Sequence, residues 1–135
     1  VSTWRQDLIA RLRADAALAA AFGTRIAFFE AARSWTAYPQ LVLQEVSPGR
    51  EYTHDGPDGL DGPRVQFDIY ATDDASLLAA ETALMAEMES EADQGGTRFH
   101  HGYLEARSMP DPGDLANQRR VLRLSLDFTF FHEAI

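Results

Sequence analysis

Apolar residues recur at helical spacing near the start of the chain: Trp4, Leu8, Leu12, Ala16 and Ala19, widened by Ile9 and Ala20. That period predicts one amphipathic helix over residues 3–21, with Arg5, Asp7, Arg11 and Arg13 mostly on its polar side. Thr3 and Gln6 form a capping-box pattern at its start, and Gly23 is a suitable stop. The pattern then changes period. Residues 25–29 and 40–46 read as strands, with a loop between them ending at Pro39. Pro48-Gly49 bends or bulges the second strand, and pairing is expected to resume over 50–53. Residues 64–71 alternate cleanly. Val65, Phe67, Ile69 and Ala71 lie on one face, and Arg64, Gln66, Asp68 and Tyr70 on the other. A second helix is expected over 75–92, capped by Asp73 or Asp74, with Leu77, Leu84 and Met88 in its stripe. Residues 97–107 read as one strand with Phe99, His101, Tyr103 and Glu105 facing together. The strongest strand signal is 119–131, where Leu122, Leu124, Leu126, Phe128 and Phe130 alternate with polar residues.

The order is therefore α-β-β-β-α-β-β. Strands joined without helices favour antiparallel pairing. The expectation is an α+β fold, an antiparallel sheet with two amphipathic helices packed on one face. The other face carries Arg, Gln, Asp and Thr, which suits solvent or another subunit.

Composition narrows the function. The chain has 135 residues, 45% of them apolar, enough for the core of a single domain spanning 1–135. No apolar run approaches the ~20 residues of a membrane span, and no signal-peptide pattern opens the sequence. No cysteine is present, which excludes disulfides, thiolate zinc sites and a Cys nucleophile. The formal net charge is −9, the opposite of what a free-standing duplex binder needs. All 12 basic residues are arginine, a side chain suited to fixed bidentate contacts.

Candidate chemistry concentrates in "THDGPDGLDG", residues 53–62, where three Asp-Gly units crowd together. Asp55, Asp58 and Asp61 are spaced by three, and the twelfth position from Asp55 is Gln66. An EF-hand needs alternate oxygen ligands and a Glu at the twelfth, so that pattern fails. Asp, Gly and Pro together instead make turns. His100 and His101 are adjacent in the expected strand and point to opposite faces, so they do not share a metal. His54 and His132 read as surface or interface residues. No Gly-x-Ser-x-Gly elbow, phosphate loop or dinucleotide fingerprint occurs. No catalytic, cofactor-binding or metal residues are assigned. Phe128 and Phe130 read as core, whereas Phe131 points the other way and is an interface candidate.

The stretches "ADAALAAAFGTRI", "YPQLVLQEVS", "REYTHDGPDGLDGPRVQFDIYA", "DDASLLAAETALM" and "RRVLRLSLDFTFFH" are spread from residue 14 to residue 132. In that arrangement the sequence resembles the phage tail-completion family of tail terminators, or tail-to-head joining proteins, of long-tailed phages and gene transfer agents. The most specific part is the acidic loop with the "RVQFD" strand after it. The resemblance implies a structural virion protein without catalysis or cofactor. It implies a homo-oligomeric ring, typically a hexamer, on the head-proximal end of the tail tube. That ring would stop tube polymerisation and meet the head-side connector or stopper, while DNA passes through its lumen without specific binding. It would act in the neck of the virion, assembled in the host cytoplasm, with no membrane partner.

Within that picture the 54–63 loop, with His54, Asp55, Asp58 and Asp61, is expected to face the lumen or a partner protein. Arg64, Arg119, Arg120, Arg123 and Phe131 are expected at subunit interfaces. Two alternatives compete: another connector such as the head completion or stopper protein, and a small metal-binding enzyme or ligand-binding domain using His54 and the Asp55–Asp61 loop.

Overall fold

Thr3 starts the first helix, α1 (Trp4–Ala14), with a capping box. Its hydroxyl accepts from the Gln6 N–H, and the Gln6 side chain accepts from the Thr3 N–H. The computed structural model describes residues 3–28, 37–49, 52–53, 56–57, 61–109 and 121–135. The single helix expected over 3–21 is two helices. Asp15 is extended (φ −71°, ψ 127°), and its carboxylate accepts from the Leu18 N–H, capping α2 (Ala16–Phe22). An Asp side chain that can bond a nearby N–H favours a cap over a helix interior, which is why the break falls there. The break re-aims the apolar stripe: Leu18 and Phe22 are buried, whereas Ala16 and Ala19 are exposed. Asp7 and Arg11, expected on the polar side, are buried.

The main sheet has five strands: β1 (Ile26–Phe28), β2 (Gln40–Ser47), β5 (Arg64–Ala71), β8 (Tyr103–Ser108) and β9 (Leu122–Thr129). Their spatial order is β1-β2-β5-β9-β8. All pairs are antiparallel except β1 with β2, which is parallel and makes the sheet mixed. The expected resumption of pairing over 50–53 takes another form. β3 (Tyr52–Thr53) pairs with β4 (Gly56–Pro57) in a small ladder of their own. The bend is a register shift between Glu45 and Ser47, just before Pro48-Gly49.

The helix α3 (Asp74–Met88) is capped by Asp73, whose carboxylate accepts from the Ser76 N–H at 2.8 Å. It ends at Met88, earlier than expected. The next residues form β6 (Ala92–Gln94) and β7 (Thr97–Phe99), a hairpin that joins β10 (His132–Ala134) in a second sheet ordered β10-β7-β6. The strand expected over 97–107 is split at Gly102. Its N–H donates to the Met88 carbonyl at 2.6 Å, and a Cβ there would meet that oxygen at 2.8 Å. Phe99 is consequently core, whereas His101, Tyr103 and Glu105 are exposed.

Helices cover one face of the main sheet. Leu8, Leu12, Leu18, Phe22, Leu77, Leu84 and Met88 meet Leu41, Leu43, Phe67, Ile69, Leu124, Leu126 and Phe128 in one core. Fully burying such side chains stabilises the fold by roughly 1.5–3 kcal/mol each. The architecture is α+β with three helices among the described residues, where the sequence pattern gave two.

Candidate assembly surfaces

Alternation along β5 and β9 sends Arg64, Gln66, Asp68 and Tyr70 to the sheet face away from the helices. Arg123, Ser125, Asp127 and Thr129 lie opposite them in register. The result is a charge ladder. Arg64 binds Asp127 at 2.9 Å, and Arg123 binds Asp68 at 3.0 Å. The Asp68 carboxylate is buried and also accepts from the Gln66 amide and the Ser125 hydroxyl. Such a carboxylate is tolerated in the interior because its lone pairs are filled. The Arg123 guanidinium also lies over the Tyr70 ring, 5.8 Å from its centre. Burial pushes the Tyr70 hydroxyl above the ordinary tyrosine range. Arg123 opposes that shift and Asp68 adds to it. Arg64 and Arg123, expected to meet a neighbouring subunit, thus hold acids of their own chain. Arg123 keeps its Nε buried without a partner among the described residues.

The base of the acidic loop is fixed by backbone contacts. Gly62 N–H donates to the Gly49 carbonyl at 2.8 Å. Gly49 has φ +58°, and a Cβ on it would collide with the Gly62 carbonyl. One residue earlier, Asp61 and His132 exchange two backbone hydrogen bonds, at 2.9 and 3.2 Å. The acidic loop is therefore stapled to the second sheet at Asp61. Phe131, the aromatic interface candidate, is half-buried, and its ring lies against Gly62. His54, Asp55, Asp58, Arg119 and Arg120 lie outside the described residues. Among the described residues no group of three or more His, Asp or Glu side chains is arranged to hold a metal.

His132, expected at the surface or at an interface, is buried within the chain. Its ring stacks on Trp4 at 4.7 Å and 24°, and neighbours Phe99 and Phe130. Its Nε2 has no hydrogen-bond partner among the described residues. Desolvation holds its pKa below the ordinary 6.5, with Asp61 and Glu45 pulling weakly the other way. His100 and His101 take separate partners, Glu133 at 3.0 Å and the Tyr103 ring, and do not converge.

A further feature had no signal in the linear pattern. Between α1 and β1 runs a groove of about 420 Å³. Ile9, Ala10, Ala27 and Phe28 line it, with Arg5 and Arg13 beside them. Arg5 reaches the Glu45 carboxylate, and Arg13 donates to the Ile26 carbonyl at 2.8 Å.

These features are charges paired within the chain and turns stapled by backbone contacts. The decisive comparison is with protein families. The model of the tail completion protein gp17 family matches residues 6–132. The chain belongs to that family. As a tail completion protein it is a structural protein of a phage tail. A chain from the solved virion of a native gene transfer agent (GTA) particle shares the fold, with a TM-score of 0.71 at 18% identity. That match covers 96% of this tail completion protein and 94% of the virion chain. Among curated proteins, none matches the sequence.

Proposed function

We propose that this tail completion protein assembles as a hexameric ring on the last ring of tail-tube subunits, halts polymerisation and presents the joining surface to the head-side connector. The observation that carries the reading is the family match across residues 6–132. Physical features support it. A net charge of −9 suits a conduit through which DNA slides, because like charge prevents trapping. A rigid mixed sheet with a backbone-stapled loop supplies fixed surfaces for repeated contacts. The role requires no catalysis and no cofactor.

Within the ring, the loop bearing His54, Asp55, Asp58 and Asp61 faces the lumen or the tube protein. The Asp61–His132 bridge sets its root. Arg119 and Arg120, with Phe131 and the outer edges of Arg64 and Arg123, meet acidic groups of the neighbouring subunit. A structure of the assembled particle tests the loop: finding it on the outer rim, clear of lumen and partners, would exclude this placement. Pull-down against purified tail-tube protein and against the head connector tests the partners. Binding to the connector with none to the tube would instead identify a head completion or stopper protein.

A further inference from the structure

The groove between α1 and β1 and the outer side of α3 are complementary, and we propose that α3 of a second copy of this chain seats in that groove. This rests on the ring reading above and names the surfaces that close the ring.

On α1, Arg5, Ile9 and Arg13 follow one another at four-residue steps, a line along one side of the helix. Ile9 and Phe28 form the apolar floor, Ala10 and Ala27 leave it open, and the Cα atoms of the two arginines stand about 12 Å apart along the axis. On α3, Asp74, Leu78 and Thr82 repeat the same four-residue step on the exposed side. Leu78 is 53% exposed, a large apolar residue left uncovered on a helix whose other leucines, Leu77 and Leu84, are buried. Ala75 and Ala79 beside it are exposed and small, so Leu78 stands as a single knob. With Leu78 over Ile9 and Phe28, Asp74 lies one turn away, the same offset that separates Ile9 from each arginine. Arg5 is already matched by Glu45, so the seating sets Asp74 against Arg13, whose guanidinium donates to the Ile26 carbonyl.

The two surfaces are different patches of the chain. The groove includes β1, one edge strand. The helix α3 is tied to β8, the other edge, by Glu81 and Arg107 at 2.5 Å. Joining one patch of a subunit to a different patch of the next is a heterologous contact, which closes into a ring when the rotation allows.

The absence of cysteine makes the test clean. Leu78→Cys and Ala10→Cys are made in separate chains; both positions are exposed, so neither disturbs the core. The two variants are mixed and oxidised, both as the concentrated protein and on tail tubes capped with it. The proposal expects a mixed disulfide between the variants in several-fold excess over either variant alone. It also expects a ladder of cross-linked oligomers from the double variant, abolished by adding Arg13→Glu and Asp74→Arg singly and partly restored by the two together. No mixed disulfide in either setting overturns the proposal, as does a dominant disulfide between two copies of Leu78→Cys, the mark of a two-fold contact. Electron microscopy of the wild-type caps separates the two claims. A ring without the mixed disulfide rejects this interface and keeps the ring, whereas absence of a ring rejects the ring reading itself.

Discussion

Asp68 is the residue whose neighbourhood is least forgiving. It is buried, and its carboxylate gathers Arg123, Gln66 and Ser125 across two strands. Asp68→Ala should leave the partly buried Arg123 cation unmatched and cost about 3 kcal/mol, read as a lower midpoint in urea. Replacing Arg64, whose pair with Asp127 is more exposed, should cost under about 1 kcal/mol in the same assay. His132 gives a pH signature. Its folded pKa lies below the unfolded 6.5, so the unfolded chain binds more protons as pH falls through 6.5. Stability from the neutral ring is complete above 6.5 and declines on acidification until the depressed folded pKa is passed. His132→Phe keeps an aromatic ring against Trp4 and should remove that part of the decline. Thermal melts of both proteins from pH 8 to 5 check it; parallel profiles would show that His132 does not titrate differently on folding. The burial of Asp7, Arg11 and His132 was not legible in sequence, because each depends on a partner distant along the chain. Thr97 donates to Asp7 at 2.6 Å, the Glu87 and Ser90 carbonyls accept from Arg11, and Trp4 stacks on His132.

Secondary elements were legible where one face alternates strictly or a cap is spelled out. β5 and β9 follow their alternation, and Thr3 and Asp73 cap the helices they were expected to start. Misreadings fall where local preference is uniform and tertiary contact decides. The Ala-rich stretch around Asp15 is equally helical on both sides, so only the Asp15 cap marks the break. Gly102 interrupts an otherwise continuous strand pattern because the backbone there must approach Met88. The parallel pairing of β1 depends on the path of the chain and leaves no periodic trace. Glycines test the stapled turn. Gly49→Ala meets both a positive φ and the Gly62 carbonyl, and should destabilise by more than about 1 kcal/mol. Gly96→Ala meets nothing within 4 Å and should be nearly neutral, as denaturant titration of the two variants would show. Equal effects would mean that the Gly49–Gly62 contact does not hold the loop root.

At the scale of the molecule, the chain is acidic and has a packed α+β core. Family membership makes it a tail completion protein. The role as a tail terminator, stopping the tube and joining it to the head, is the central claim. The candidate surfaces were only partly visible in sequence. Asp61 and Phe131 were singled out and converge on the loop root through Gly62 and His132, while the groove under Arg5 and Arg13 emerges only when α1 packs beside β1. The most direct test adds the purified chain to polymerising tail-tube protein and images the products by electron microscopy. The account predicts tubes that stop growing and carry a ring of this protein at one end only. Tubes that elongate at an unchanged rate with bare ends would contradict it.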